Sequence, residues 1–171
     1  MKIHFETSRF IVRDIEQIDI KDMYEMDSDP DVHRYLGKNP VKSIQESKKI
    51  IEYIRAQYEK YGIGRWAVIE KKSNEFLGWT GLKYETKVRK SFNYYDLGYR
   101  FKKKYWGQGV ATETAQASLK YGFDTLGLKK ICAAAEVDHI ASNSILKKVG
   151  FNCVEVFDFE NVKHNWYEIL K

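Results

Sequence analysis

The sequence predicts a single α/β domain spanning residues 1–171, with a mixed, mostly antiparallel sheet of six to seven strands flanked by about four helices. Three observations carry this expectation. The length suits one domain with one substantial core. Strand and helix patterns follow the order β-α-α-β-β-β-α-β-α-β-β, with no repeat, linker or low-complexity segment. Residues 97–113 read as a strand handing the chain, through a basic glycine-containing loop, to a helix of small residues.

Residues 10–15 alternate as a first strand. A helix over about 19–27 follows, then a short one opened by Asp29, with Pro30 in its first turn and Gly37 closing it. Ser43 and Glu46 form a capping box. It opens a longer helix whose Ile50, Ile51, Ile54, Tyr58 and Tyr61 share one face, and Gly62 ends it. Arg65–Glu70, Phe76–Glu85 and residues 92–101 read as a three-stranded meander. After the loop, Val110, Ala111, Ala115, Ser118, Leu119 and Gly122 recur at helical spacing, with Gly127 as C-terminal cap; side chains this small place the helix close against a sheet. Residues 130–137 form a strand. Asp138 is placed to cap a helix over 140–149, and Asn152–Phe159 with residues 163–170 make a final hairpin.

Apolar residues make up 43% and charged residues 31%, the balance of a soluble globular chain. No apolar run approaches a membrane span, and the opening Met-Lys-Ile-His-Phe-Glu has no signal-peptide pattern, so no membrane partner is expected. Cys132 and Cys153 both lie in apolar segments and read as buried free thiols of a cytoplasmic protein. The 29 basic and 24 acidic residues leave +5, and Lys102, Lys103 and Lys104 place three of those charges together. Such a cluster suits a phosphorylated ligand; a solvated turn that protects a sheet edge is the alternative. Nucleic acid is a poor candidate, because no zinc-finger, helix-turn-helix or RNP-type pattern is present.

The loop narrows the ligand. Gly107 and Gly109 admit backbone angles closed to other residues, and unpaired amides at a helix N-terminus attract anions. A helix dipole contributes only about 0.3–1 kcal/mol to an anion, or up to ~2 when partly buried, whereas a micromolar ligand needs roughly 8 kcal/mol. The loop therefore orients a phosphate without holding the whole ligand. No Lys-Ser or Lys-Thr pair follows the second glycine, so the chain has no P-loop. The dinucleotide fingerprint also fails, since Thr112 stands where its third glycine belongs.

What remains, Lys104-Tyr-Trp-Gly107-Gln-Gly109, resembles the pyrophosphate-binding motif of the GNAT acetyltransferase superfamily, Gln/Arg-x-x-Gly-x-Gly/Ala, with Lys104 in place of the usual first residue. Three other regions and a fuller match at the loop resemble its ribosomal-protein N-terminal (Rim-type) subfamily. They are residues 29–37 (Asp-Pro-Asp-Val-His-Arg-Tyr-Leu-Gly), 76–82, 105–113, and Ala141-Ser142 through Lys148-Val-Gly-Phe151. They occur in the family's order between about residue 9 and residue 151.

The resemblance implies an acetyl-CoA-dependent N-acetyltransferase acting on a primary amine, a small molecule or a protein N-terminus, by direct attack on the thioester, with no metal. A catalytically idle acyl-CoA-binding module is the alternative, and a homodimer stays open. It implies that the fourth and fifth strands, 92–101 and 130–137, splay around the pantetheine arm. Cofactor contacts then fall to Leu97, Tyr99, Phe101, Lys104, Trp106, Gly107, Gln108, Gly109, Val110, Ala111, Thr112, His139 and Ser142. A main-chain N–H near Leu97 to Tyr99 would face the oxyanion. His139 stands where the subfamily has asparagine, and Leu146 where many members have a tyrosine acid, which leaves Ser142 to protonate the thiolate.

Asp96 interrupts an aromatic and apolar strand, where partial burial would make it more basic, and the subfamily has an acid there. A salt bridge to Arg100 is the alternative role. Glu113 is a second candidate base, or a partner of the helix dipole. His33, Tyr35, Trp66 and Trp79 are candidates for the acceptor cleft, although most aromatics of this chain belong to the core. Gly78 and Gly81 flank Trp79-Thr80 and point to a bulge or a close approach.

Overall fold

The computed structural model describes residues 1–171. Its single sheet holds eight strands in the order β1-β2-β3-β4-β5-β6-β8-β7. These are β1 (Ile3–Glu6), β2 (Phe10–Asp14), β3 (Arg65–Glu70), β4 (Phe76–Glu85), β5 (Tyr94–Phe101), β6 (Lys130–Glu136), β7 (Asn152–Phe159) and β8 (Val162–Leu170). All neighbours are antiparallel except β5 and β6. Seven strands correspond to the expected ones. The eighth, β1, has only four residues, too few for a period-two pattern to stand out.

Four helices accompany the sheet: α1 (Ile20–Asp27), α2 (Ile44–Tyr61), α3 (Val110–Asp124) and α4 (Ile140–Lys148). Helix α2 starts at Ser43, whose hydroxyl accepts the Glu46 N–H at 3.3 Å, and ends at Gly62 in the left-handed region. The Glu46 carboxylate turns back to the Lys42 N–H rather than to Ser43. His139, not Asp138, precedes the first turn of α4. The short helix expected over 29–37 does not form. The Asp29 carboxylate accepts the Asp31 N–H at 2.9 Å, and Leu36 and Lys38 both donate to the His33 carbonyl. The backbone closes on itself in successive turns, as an aspartate at a turn start favours.

Helices α1 and α2 cover one face of the sheet, over a cluster that includes Met23, Ile51, Ile54, Ala67 and Ile69. Helices α3 and α4 cover the other, over Trp66, Leu82, Leu97, Leu119 and Leu146. The small residues of α3 serve the close seat inferred from them: a Cβ on Gly122 would lie 2.6 Å from Leu82 Cδ1 and 2.8 Å from Ile131 Cδ1. Gly78 has φ +152°, next to a register shift between β3 and β4, and a Cβ there would lie 2.1 Å from the Arg100 carbonyl oxygen. The close approach inferred at Gly78 is thus made by the backbone of β5, not by a ligand.

Cys132 is buried, and burial pushes its thiol up to about 12. Cys153 is exposed, contrary to its apolar surroundings in sequence, because β7 is an edge strand whose side chains mostly face solvent. No helix is long and apolar enough to cross a membrane. The seat of α3 predicts that Gly122→Val lowers the unfolding free energy by about 1–3 kcal/mol. Urea denaturation measures this, and an unchanged midpoint would contradict the packing.

Candidate active site

β5 and β6 share one bridge, Asp96 with Cys132. Beyond it β5 remains paired with β4 as far as Phe101, and β6 with β8 as far as Glu136. The two strands therefore part toward their C-terminal ends and leave a wedge between them, the splay expected of the strands counted fourth and fifth from sequence. Backbone groups alternate sides along a strand. Lys102 donates its N–H to Leu77 on the β4 side, so Leu97, Tyr99 and Phe101 point theirs toward β6; the Leu97 N–H closes the single bridge to Cys132, which leaves those of Tyr99 and Phe101 to the wedge. The Phe101 carbonyl is already taken by the Trp106 indole N–H at 2.9 Å, which removes half of an expected main-chain contact.

At the open end of the wedge the chain makes a 3-10 turn over Lys103–Tyr105 and enters α3 through Gly107 (φ +72°) and Gly109 (φ +76°). The backbone N–H groups of Gly107, Gly109, Val110, Ala111 and Thr112 donate to nothing in the protein, while that of Gln108 closes the turn over Trp106 and Gly107; the first helical bond runs from Glu113 N–H to the Gly109 carbonyl at 3.0 Å. Free amides gathered at a helix N-terminus are a setting that favours an anion.

The loop is braced by a residue that no motif of the chain singles out. Arg9, between β1 and β2, donates to the Gln108 carbonyl at 3.0 Å and to the Glu113 carboxylate at 2.7 Å, and Ser8 also donates to Glu113. Burial works against the Glu113 charge, yet the bonds from Arg9 hold its carboxyl below the usual range. Glu113 is thereby a brace, held ionised in an ion pair on the far side of the loop. The Gln108 side chain folds onto the Lys104 carbonyl.

The lysine cluster is differently disposed from the expected phosphate patch. Lys102 pairs with Asp22 (2.7 Å) and Glu25 (2.6 Å), Lys103 with Asp31 (2.5 Å) and Lys104 with Glu75 (3.8 Å). Lys102 is buried and committed to α1. The other two are exposed, where such pairs contribute only about 0–1 kcal/mol and re-form easily.

At the apex of the wedge, on the α1–α2 face, Asp96 pairs with Arg65 of β3 and not with Arg100. Burial pushes the Asp96 carboxyl up, against the pull of the Arg65 charge. Arg100 reaches the buried Asp27 at 2.7 Å, with His33 Nε2 a further 3.6 Å from the same carboxylate oxygen. Trp79 lies between the two guanidiniums, 5.3 Å from Arg65 and 5.1 Å from Arg100. Tyr35 stacks on His139 at 4.3 Å, so the turns after α1 touch the start of α4, and the His139 ring faces an aromatic partner. Burial lowers the His139 pKa. His33, Tyr35 and Trp79 thus gather on one side. Trp66 does not: it is fully buried on the α3 face, stacked on His4 at 4.5 Å and edge-on to Tyr121.

On the opposite face, the Tyr99 hydroxyl lies 3.2 Å from Ser142 Oγ and 3.3 Å from the Ser142 carbonyl oxygen. Burial pushes the phenol up to about 12, so it stays protonated. A tyrosine therefore does reach α4, from β5 rather than from the helix position that Leu146 fills.

A family model for the acetyltransferase (GNAT) domain matches residues 9–152. The chain belongs to the GNAT acetyltransferase family. An uncharacterized N-acetyltransferase of Bacillus subtilis (strain 168), YoaA, is 34% identical over 148 residues, 85% of this chain and 81% of that protein. Among solved structures, a GNAT-family acetyltransferase from Bacillus anthracis superposes with TM-score 0.82 at 26% identity, over 99% of this chain and 98% of the other. Spermidine N-acetyltransferase from Vibrio cholerae, in complex with coenzyme A and spermine, superposes with TM-score 0.77 at 16% identity, over 96% of each chain, a likeness of fold. The acetyltransferase therefore has its cofactor-loop candidates on one contiguous surface, Gly107 to Thr112. Hydrogen exchange of the free protein tests that surface: the amides of Gly107, Gly109, Val110, Ala111 and Thr112 should exchange quickly although both flanks are ordered, and their protection would contradict the description.

Proposed function

We propose that this acetyltransferase moves the acetyl group of acetyl-CoA to a primary amine, in the manner of the Rim-type enzymes it resembles. The acceptor is a small molecule or a protein N-terminus. The observation that carries the reading is the set of five free amides between Gly107 and Thr112, opening onto a gap between parallel strands. The αL glycines fit a diphosphate: space beside Gly107 is open, with no atom within 4 Å of a Cβ placed there. Lys103 and Lys104 are long and exposed enough to leave their acidic partners for a phosphate. The coenzyme A complex of the Vibrio cholerae neighbour supports the choice of cofactor.

Bound acetyl-CoA supplies an activated thioester. Main-chain groups of Tyr99 and the Leu97 carbonyl align the arm along β5 as an added strand would, and the Tyr99 N–H donates to the thioester carbonyl oxygen. Asp96 takes the proton of the attacking amine, as a carboxylate made more basic by burial can. As the new C–N bond forms and the C–S bond breaks, the Tyr99–Ser142 hydroxyl pair gives a proton to the departing sulfur. Trp79, His33 and Tyr35 border the amine's approach.

Thermal shift is expected to rise with acetyl-CoA and not with ATP or NAD; ligand at ~100 times its dissociation constant adds roughly 2.7 kcal/mol. Free thiol should then appear only when an amine is added. Binding without amine-dependent release would leave an idle acyl-CoA-binding module. Arg9→Ala removes the half-exposed bonds that brace the loop, each contributing about 0–1 kcal/mol. It is therefore predicted to weaken acetyl-CoA binding severalfold by calorimetry. Asp96→Asn should lower kcat/KM about 10²–10⁴-fold with binding of acetyl-CoA retained.

A further inference from the structure

Arg65 opens β3, yet its guanidinium ends two strands away. It donates to the Gly81 carbonyl of β4 at 2.6 Å, to the Asp96 carbonyl of β5 at 2.8 Å, and to the Asp96 carboxylate through Nη2. The route crosses Gly98, where a Cβ would stand 2.6 Å from both Cζ and Nη2 of Arg65. Only glycine at position 98 lets the guanidinium lie flat across β5. Trp79 supports it from one side, and the Arg65 carbonyl accepts a bond from the Tyr58 hydroxyl of α2. The side chain is 11% exposed and Asp96 15%, so solvent screens this pair little.

The other charged groups around Asp96 are committed elsewhere. Lys83, opposite it on β4, pairs with Glu85. Glu85 also accepts the N–H groups of Thr86 and Lys87 at 2.9 and 2.8 Å. Tyr94 on the same strand and Cys132 across the bridge are neutral, their protons held by burial. Arg65 is the cation that touches Asp96, and it binds Oδ2, leaving Oδ1 outside the pair.

We propose that Arg65 is a positioning residue for acetyl transfer: it keeps Asp96 ionised at neutral pH and fixes that carboxylate at the apex of the wedge, with one oxygen free for the amine proton. This rests on the base role given to Asp96 above. A carboxylate this enclosed, left without a cation, keeps its proton and cannot accept another. Arg65 offsets that burial without taking both oxygens.

The test follows Asp96 directly by carboxyl carbon NMR across pH in the whole protein, assigned with Asp96→Asn, together with the pH profile of kcat/KM. Arg65→Gln keeps much of the shape and removes the charge. The Asp96 midpoint is expected to rise by roughly one to three pH units. Because the base must be deprotonated, the acid limb of kcat/KM should move to higher pH with it. Arg65→Lys keeps the charge without the fork and should shift both by less. Gly98→Ala crowds the guanidinium while leaving every charge in place, and should shift the midpoint in the same direction. An Asp96 midpoint unchanged in a folded Arg65→Gln protein overturns the inference. A midpoint that moves while the acid limb stays fixed overturns instead the assignment of Asp96 as the base.

Discussion

Two parallel neighbours that bridge once and then part leave backbone donors and acceptors without partners inside a domain, and such groups are costly to bury unpaired. In this protein the single bridge is Asp96 to Cys132, and the wedge beyond it dictates the rest. Because β5 stays paired with β4, its end delivers the chain to the N-terminus of α3, where five further amides are free. Because β6 stays paired with β8, its end delivers α4 to the other rim. The one face of the wedge is floored by the Tyr99–Ser142 pair and the other by Asp96. A ligand with a strand-like arm and a diphosphate answers both sets of unpaired groups at once.

The floor on the α1–α2 side is organised by charge neutralisation. Asp96, Arg65, Trp79, Arg100, Asp27 and His33 follow one another as carboxylate, guanidinium, indole, guanidinium, carboxylate and imidazole. Each buried acid has its own arginine, and each arginine lies against the same indole. Removing one partner of such a pair leaves an uncompensated buried charge, a far larger penalty than the net contribution of the intact pair. Asp27 Oδ2 and Arg100 Nε remain without partners in this arrangement, so its polar capacity is not exhausted. The exposed pairs of Lys103 and Lys104 are of another kind, held loosely enough to be exchanged for a phosphate.

Local rules made much of this legible in the sequence. The Ser43 cap, the Gly62 stop, the small-residue face of α3 and the glycines before it depend on neighbouring residues, and each appears where its pattern placed it. What failed depended on partners distant in sequence. Asp96 and Arg100 do share a strand face, but four residues along a strand span about 13 Å, beyond the reach of an ion pair. Arg65, 31 positions earlier, lies across the sheet. Trp66 and Trp79 look alike in sequence, and only the register of β3 on β4 sends one to the core and the other to the floor. Arg9 could not be recognised as a brace before the β1–β2 turn met α3. The segment 29–37 carries helix-opening residues, yet Asp29 spends its carboxylate on a turn.

If the amides between Gly107 and Thr112 and the wedge they overlook accept one ligand together, a crystal structure grown with acetyl-CoA will show it. Diphosphate oxygens should then lie within hydrogen-bonding distance of these amides, with the pantetheine arm between β5 and β6. A coenzyme bound elsewhere, with the loop's amides turned onto protein acceptors and the wedge closed, would contradict it.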